Sequence, residues 1–164
     1  MASDGAPPAV PQGQGVKQRN LVKMSAEEVD AFLREWHTMS CATYNHDGTI
    51  HLVAMWYGFL EGCIALETKA KSQKAANLRR DPRITCMIEE GETYDELRGV
   101  ELVGRAEIVE DHDRLFQVGA SVIGRLQGTG TLEGSPENDA AVEALIRKRV
   151  GVVIEDGRVV SREH

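Results

Sequence analysis

The feature that most constrains the fold is a series of strand-like segments, separated by short turns, that fills most of residues 38–107. Asn45-His46-Asp47-Gly48 is typical of a tight turn between two of them, because Asp-Gly readily adopts positive φ. Strands joined by short turns pair with antiparallel neighbours. Five strands are predicted, over Thr38–Tyr44, Thr49–Phe59, Cys63–Thr68, Arg83–Glu89 and Leu97–Glu107. The region therefore predicts an antiparallel sheet.

Segments with helical periodicity surround these strands. Ser25-Ala-Glu-Glu28 is a capping-box pattern and predicts a helix over Ala26–Glu35. Further helices are predicted over Lys71–Arg80, after Asp111 and from Pro136, and a closing hairpin over Val150–Glu155 and Arg158–Ser161 with its turn at Asp156-Gly157. Antiparallel strands with helices at the edges predict an α+β domain built on a small β-barrel with peripheral helices.

The composition of the chain bounds its class and its partners. Residues Met1–Arg19 hold three of the five prolines and almost no apolar periodicity, so we expect a disordered tail before a single domain over residues 20–164. Apolar runs are far shorter than the roughly 20 residues of a membrane span, and the N-terminus lacks a signal-peptide pattern. A net charge of −7 argues against nucleic-acid binding. The expected location is the cytoplasm, without membrane or nucleic-acid partners.

Cysteine and histidine spacing does not support a metal site. Cys41, Cys63 and Cys86 are widely separated, and no Cys-x-x-Cys or Cys/His ligand pattern occurs. All three cysteines lie in apolar strand-like runs, where a thiol behaves as a small hydrophobic group. We therefore expect reduced core cysteines and no metal.

Positive charge is concentrated between Lys69 and Arg83, where six cationic residues face a single acidic one in an otherwise acidic chain. A strand ends at Thr68 and a helix is predicted to begin near Lys71. Free N–H groups at a helix start favour a phosphate, and Ser72 and Lys74 add a hydroxyl and an ammonium. The alternative is a capped, solvated helix face, and the residues alone leave both interpretations open.

This segment also carries a resemblance to a known family. Ser72-Gln-Lys-Ala-Ala-Asn-Leu-Arg-Arg-Asp-Pro-Arg83 resembles the "S-x-K-x-x-N-L-x-x-D-P-R" segment of the flavin and deazaflavin oxidoreductases of the split β-barrel class, the superfamily of pyridoxamine 5′-phosphate oxidase. Asn45–Gly48 and Arg98–Ala106 support the resemblance. It implies a split β-barrel homodimer with cofactor sites at the subunit interface.

The resemblance also implies site residues. Thr68, Ser72 and Lys74 match the residues that hold the cofactor phosphate, with Lys69 and Gln73 nearby. The strand segment Val53, Ala54, Met55 and Trp56 matches the stretch whose backbone lines the flavin ring. The alternative for that segment is an ordinary half-buried strand with Trp56 in the core.

Within the superfamily the residues favour coenzyme F420 over FMN. Gln73 stands where the FMN-dependent oxidases have Arg, and a polyanionic glutamate tail on F420 suits extra cations at Lys69, Lys71, Arg79 and Arg80. The implied activity is hydride transfer between the deazaflavin and a small conjugated organic substrate. The alternatives are an FMN-dependent oxidase or reductase, a non-enzymatic flavin or F420 carrier, and a haem-binding or cofactor-free barrel. Tyr57 and Tyr94 are considered as proton donors, but the sequence assigns no catalytic acid.

The glycine-rich segment Gly128–Gly134 resembles a phosphate loop only superficially. It lacks the Lys-Ser/Thr ending and follows a predicted helix instead of a strand. We interpret it as a mobile loop with no assigned function.

Overall fold

A curled antiparallel sheet organises the chain. The computed structural model describes residues 23–35 and 38–163, so the predicted tail over residues 1–19 lies outside the described residues. The strands are β1 (Met39–Tyr44), β2 (Ile50–Met55), β3 (Gly58–Leu60), β4 (Cys63–Lys69), β5 (Arg83–Glu90), β6 (Arg98–Val109) and β7 (Arg149–Glu163). The helices in these ranges are α1 (Ala26–Arg34), α2 (Gln73–Arg80), α3 (His112–Leu126) and α4 (Pro136–Ile146), with a 3₁₀ turn at Tyr94–Glu96.

The order of the strands makes the sheet a split barrel. The seven strands are ordered β2-β1-β5-β6-β7-β4-β3, so the two edge strands, β2 and β3, follow one another in the chain. Only Trp56 and Tyr57 connect these two edges. The three Cα–Cα steps from Met55 to Gly58 span at most about 11 Å, so the sheet must curl until its two edges come close together. The predicted α+β split β-barrel with peripheral helices is confirmed.

The prediction of one continuous strand over Thr49–Phe59 is wrong. The Tyr57 side chain is fully buried, and its hydroxyl donates to the Leu33 carbonyl at 2.7 Å. Gly58 packs closely on α3, and the Phe59 N–H donates to Ser121 Oγ at 2.8 Å. These contacts with α1 and α3 draw the chain off β1 and onto β4, so the strand breaks at Trp56-Tyr57.

The predicted closing hairpin is also wrong. Strand β7 is continuous over Arg149–Glu163 and runs through Asp156-Gly157. Its pairing with β6 shifts register between Val103 and Arg105, which is the signature of a β-bulge. A Cβ on Gly104 would lie 2.7 Å from the Glu155 carbonyl oxygen, so the close approach at the bulge requires glycine there. Asp156-Gly157 forms this bulge instead of a turn, because β6 is twelve residues long and pairs with β7 on both sides of the Asp-Gly pair.

The helices begin where local capping predicts, with one change of boundary. Ser25 and Glu28 form the reciprocal capping box of α1, which confirms that prediction. Helix α2 begins at Gln73, two residues later than predicted, because the Ser72 hydroxyl accepts from the Ala75 N–H and makes Ser72 the N-cap. Lys71 therefore lies in the turn before the helix.

The main core fills the inside of the curled sheet, under α1. It includes Phe32, Met39, Leu66 and Ile88, all nearly inaccessible. All three cysteines are free thiols: Cys41 and Cys86 are buried and face each other across β1 and β5 with their sulfurs 3.6 Å apart, and Cys63 is partly buried. Within residues 23–35 and 38–163, no helix combines the length and apolarity needed to cross a bilayer.

Candidate functional site

Three of the predicted site residues converge at the turn between β4 and α2. The Thr68 hydroxyl donates to Ser72 Oγ at 3.1 Å, and Lys74 Nζ lies 3.5 Å from Thr68 Oγ1. Thr68 ends the buried part of β4, and Ser72 caps α2, which places Lys74 in the first turn of that helix. Two hydroxyls and an ammonium thus cluster beside a helix N-terminus, the arrangement that suits a phosphate.

Lys74 is buried in an unusual way for a lysine. Its side chain is 4% exposed, and Nζ contacts Met55 Sδ at 3.3 Å besides Thr68. Among the described residues, no carboxylate lies within ion-pair distance of Nζ. Burial lowers the pKa of Lys74, while the more distant Cys41 and Glu67 act in the opposite direction. A buried ammonium without a partner carboxylate is costly in a protein interior and is the kind of group that an anionic ligand satisfies.

A cleft opens beside Lys74, at the seam of the barrel. Ala54, Met55 and Trp56 line one side of it, and Ile123 and Leu126 of α3 line the other, around a volume of about 340 Å³. We call this the apolar cleft. Trp56 is 51% exposed, so the alternative in which it is a core residue is wrong. Val53 is half-buried and lies opposite Cys41 in the register of β1 and β2, next to the cleft residues in sequence.

An ion pair forms the floor of the apolar cleft. Arg149 Nη1 donates to Glu67 Oε2 at 2.7 Å, with the Glu67 side chain almost inaccessible and Arg149 about a third exposed. Burial raises the pKa of Glu67, and the Arg149 guanidinium opposes that shift. The pair joins β4 to β7 and fixes the guanidinium at the cleft.

The apolar cleft continues into a larger groove that carries positive charge. Five cationic residues line this second space, which has a volume of about 1160 Å³: Lys69, Lys71, Arg147, Lys148 and Arg149. We call it the cationic groove. Ile123, Leu145 and Arg149 line both spaces, so the two are contiguous.

Two other predicted cations are held elsewhere. Arg79 donates to the Ala70 carbonyl at 2.7 Å and pairs with Glu110 at 3.5 Å, and Arg80 donates to the Tyr44 carbonyl at 2.6 Å. Neither arginine lines the apolar cleft or the cationic groove. Both arginines stabilise the chain around α2 through these contacts. The contacts do not support the prediction that Arg79 and Arg80 face the acidic tail of a ligand.

The remaining candidates lie apart from the clustered site. Gln73 is exposed, and its amide donates to Asn77 at 2.8 Å. Tyr57 is a core residue whose pKa burial raises to about 12, and its hydroxyl is engaged with a backbone carbonyl, so it is not available as a proton donor at the cleft. Tyr94 lies exposed in the 3₁₀ turn.

The comparison with known families decides the relationship. Residues 25–159 match the profile of a family described as pyridoxamine 5′-phosphate oxidase. The chain belongs to the pyridoxamine 5′-phosphate oxidase family. This family lies in a superfamily of flavin-binding oxidoreductases with the split-barrel fold. The comparison with curated proteins gives no match.

Solved structures of the superfamily agree with this assignment. A conserved hypothetical protein of Mycobacterium tuberculosis, Rv2991, is 47% identical, with 87% of each chain covered and a TM-score of 0.81. A structure titled F420 reductase is 20% identical over 79% of this chain and 94% of that chain, with a TM-score of 0.54. A putative pyridoxamine 5′-phosphate oxidase from Listeria innocua is 18% identical over 81% and 95%, with a TM-score of 0.55. The last two likenesses establish the fold.

The sequence reasoning missed part of this family member's site. The run Arg147-Lys148-Arg149 leads from the end of α4 into the start of β7. Its three cations are visible in the sequence, but they lie outside the Lys69–Arg83 segment in which charge was counted. Glu67 gave no usable signal, because its partner Arg149 is 82 residues away in the chain. Only the pairing of β4 with β7 brings them together.

Proposed function

We propose that this protein is an F420-dependent oxidoreductase that binds the cofactor phosphate at Thr68, Ser72 and Lys74. The observation that carries the proposal is the buried Lys74 ammonium, which has no carboxylate partner among the described residues and lies beside two hydroxyls. A phosphate at this turn would accept charge-assisted hydrogen bonds of about 1.5–3 kcal/mol each.

The residues around this turn have distinct proposed roles. The bound deazaflavin supplies the hydride-transfer chemistry. The segment Val53–Trp56 would hold the ring through its backbone, and Met55 fixes the Lys74 ammonium from that side at 3.3 Å. The apolar walls of the cleft exclude water from the reacting partners. The buried Glu67–Arg149 pair keeps a guanidinium at the same cleft.

The choice of F420 over FMN rests on the cations near the phosphate turn, which exceed those needed to bind the single phosphate of FMN. Lys69 and Lys71 flank the phosphate turn and line the cationic groove without an ion pair among the described residues. Gln73, at the position where the FMN-dependent oxidases have Arg, is exposed and bonded to Asn77. F420 binding should therefore weaken with added salt more steeply than FMN binding, since exposed charges are screened over about 10 Å at 0.1 M salt. If added salt weakened the binding of F420 and FMN equally, the groove cations would not contribute to F420 binding. The proposal would then rest on Thr68, Ser72 and Lys74, which suit the phosphate of FMN equally well.

We further propose a homodimer with the cofactor at the subunit interface. The outward face of the sheet presents Leu52, Met87 and Val160, with Leu52 66% exposed. The register places these three side chains on one face of the sheet, with residues of β1 between Leu52 and Met87 and with Glu101 between Met87 and Val160. Exposed apolar side chains interspersed with polar ones are typical of a subunit interface. Sedimentation should give twice the 18.0 kDa chain mass, and Met87→Glu should shift it towards the monomer. A wild-type monomer at micromolar concentration would contradict the interface site.

Turnover tests the activity itself. Reduced F420 is mixed with the protein and with conjugated enone and quinone acceptors, and the absorbance of oxidised deazaflavin is followed. We expect turnover with at least one acceptor, its loss in Lys74→Met, and its retention in Lys23→Met, which removes an exposed lysine instead. Binding of F420 without turnover on any acceptor would favour the carrier. Turnover with FMN alone would favour the FMN-dependent class.

A further inference from the structure

The cationic groove combines two kinds of surface. Its rim is the five cationic residues defined above, and its wall is apolar, formed by Ile123 of α3 and by Ala141, Ala144 and Leu145 of α4. Its volume of about 1160 Å³ slightly exceeds the range of about 300–1,000 Å³ that is typical of small-molecule sites, so the groove can hold a large ligand. A surface with this composition suits a ligand that is itself part apolar and part anionic.

The groove forms where two segments that are distant in sequence meet: the turn before α2 and the turn between α4 and β7. One backbone hydrogen bond and one buried ion pair hold them together. The Ala70 N–H donates to the Lys148 carbonyl at 3.0 Å, which joins the turn before α2 to the turn between α4 and β7. Lys148 adopts φ of 59°, an uncommon conformation for a residue with a side chain. Below this junction, the buried Glu67 holds Arg149 at 2.7 Å. The cations on both sides of the groove are thus placed by the fold.

Most of the positive charge of the groove is uncompensated among the described residues. No acidic residue of the described part of the chain is among those that line it. Within the same part of the chain, the side chains of Lys69, Lys71, Arg147 and Lys148 form no ion pair, although the protein as a whole carries a net charge of −7. Arg149 differs from these four, because the Glu67 carboxylate holds it at 2.7 Å. Clustered unpaired cations of this kind attract an anion.

We infer that the cationic groove binds an organic carboxylate with a large apolar body, and that this is the substrate class of the proposed oxidoreductase. The carboxylate would lie on the α4 side of the rim, near Arg147 and Lys148. Lys69 and Lys71, on the α2 side, remain for the acidic tail of the proposed cofactor. The apolar body would pack on the wall formed by α3 and α4. The assignment of this ligand as a substrate rests on the proposed function, whereas its binding to the groove does not.

Continuity with the apolar cleft is what favours an apolar body over a purely hydrophilic polyanion. The shared lining residues Ile123 and Leu145 let one molecule extend from the groove to Trp56 and Met55. A carboxylate held at the rim would therefore direct the other end of its molecule towards the segment proposed to line the cofactor ring. A hydrophilic chain such as oligoglutamate would leave the apolar wall unsatisfied.

Binding of a matched pair of probes to the full-length, cofactor-free protein tests the inference. The probes are the fluorescent fatty acid cis-parinaric acid and its methyl ester, which differ in the charge of the head group. We expect the acid to bind at least about tenfold more tightly than the ester, the size of one charge-assisted contact. Arg147→Gln combined with Lys148→Gln should remove this preference. Lys23→Gln combined with Arg105→Gln changes net charge equally outside the groove and should retain it.

A second pair of variants tests the wall. Ala144→Glu introduces a carboxylate at an exposed lining position of α4 and should weaken binding of the acid by about tenfold or more. Ala140→Glu introduces the same side chain one turn earlier, outside the groove lining, and should leave binding unchanged. Both substitutions keep a good helix-forming residue at an exposed site.

Several outcomes would overturn the inference. Equal affinity for acid and ester, no binding of either probe, or an equal loss in the control variants would each do so. Tighter binding of tetraglutamate than of the fatty acid would show that the groove recognises charge alone, as the acidic tail of a cofactor would require. None of these measurements involves turnover, so a failure of the F420 assay with acid binding intact would refute the proposed function and leave the site.

Discussion

Replacing Lys74 by methionine should stabilise the protein while weakening its binding of phosphate-bearing cofactors. Lys74 is 4% exposed, and no carboxylate of the described residues neutralises it. Methionine has a similar length and removes the charge without leaving a large cavity. If Lys74 serves ligand binding at a cost to folding, its replacement should raise the free energy of unfolding and lower the affinity for cofactors. A structural lysine would instead lower the free energy of unfolding and leave the affinity unchanged.

The magnitude follows from the contacts of Nζ. The substitution loses a 3.3 Å contact with Met55 Sδ, which is weak because a thioether is a poor acceptor, and a 3.5 Å contact with Thr68 Oγ1, which is weak because it is long. It removes the cost of burying an unpaired charge, and replacement of buried ionic groups by apolar ones is often stabilising by about 1–4 kcal/mol. We expect a net gain of about 1–2 kcal/mol, near the lower end of that range. For a chain of this size, each kcal/mol raises the Tm by about 2–4 °C.

The assay combines urea unfolding of the cofactor-free protein with cofactor titrations. Both F420 and FMN should bind about 10–150-fold more weakly to Lys74→Met, the equivalent of about 1.5–3 kcal/mol. Lys23→Met, at an exposed position, should change neither quantity. A variant that is destabilised by more than 1 kcal/mol and binds both cofactors normally would refute the reasoning.

Two further predictions concern the helices that frame the cleft. Hydrogen bonds with Asp113 and Glu143 raise the pKa of His112 in the folded protein. The stability that protonated His112 adds should therefore be complete below about pH 6.5 and disappear as the pH rises through the raised folded-state pKa. Urea unfolding of wild type and His112→Gln across this pH range tests it, and a difference in stability that does not change with pH would contradict it. Gly58→Ala should destabilise the protein by about 1–3 kcal/mol in thermal unfolding, because the added Cβ would lie 2.6 Å from Ser121 Oγ, and an unchanged Tm would show that α3 yields freely at this contact.

Local signals in the sequence were sufficient for the elements that local interactions determine. The capping box at Ser25 predicts the start of α1, because the two hydrogen bonds that form it lie within four residues. The strand-to-helix turn at Thr68–Ser72 follows equally from a β-rich run and an N-cap residue. The convergence of Thr68, Ser72 and Lys74 could therefore be predicted, although the burial of the lysine could not.

Tertiary contacts decided the features that the sequence did not predict. The residues around Tyr57 continue the strand pattern, and contacts with Leu33 and Ser121 are what break it. Asp156-Gly157 has a good turn composition, but pairing with the long β6 converts it into a bulge. The cationic groove depends on a hydrogen bond between Ala70 and Lys148, residues far apart in sequence, so no window along the chain contains it.

The central claim, that the site at Thr68, Ser72 and Lys74 serves a deazaflavin, is tested most directly by titrating the wild-type protein with F420 and FMN under identical conditions. The protein should be colourless when produced in a host that lacks F420, because we expect it to bind FMN too weakly to retain it through purification. F420 should bind more tightly than FMN, and the difference should shrink as salt is added, because the exposed cations beside the phosphate turn are screened. A yellow protein that retains FMN through purification and binds it more tightly than F420 would contradict the claim.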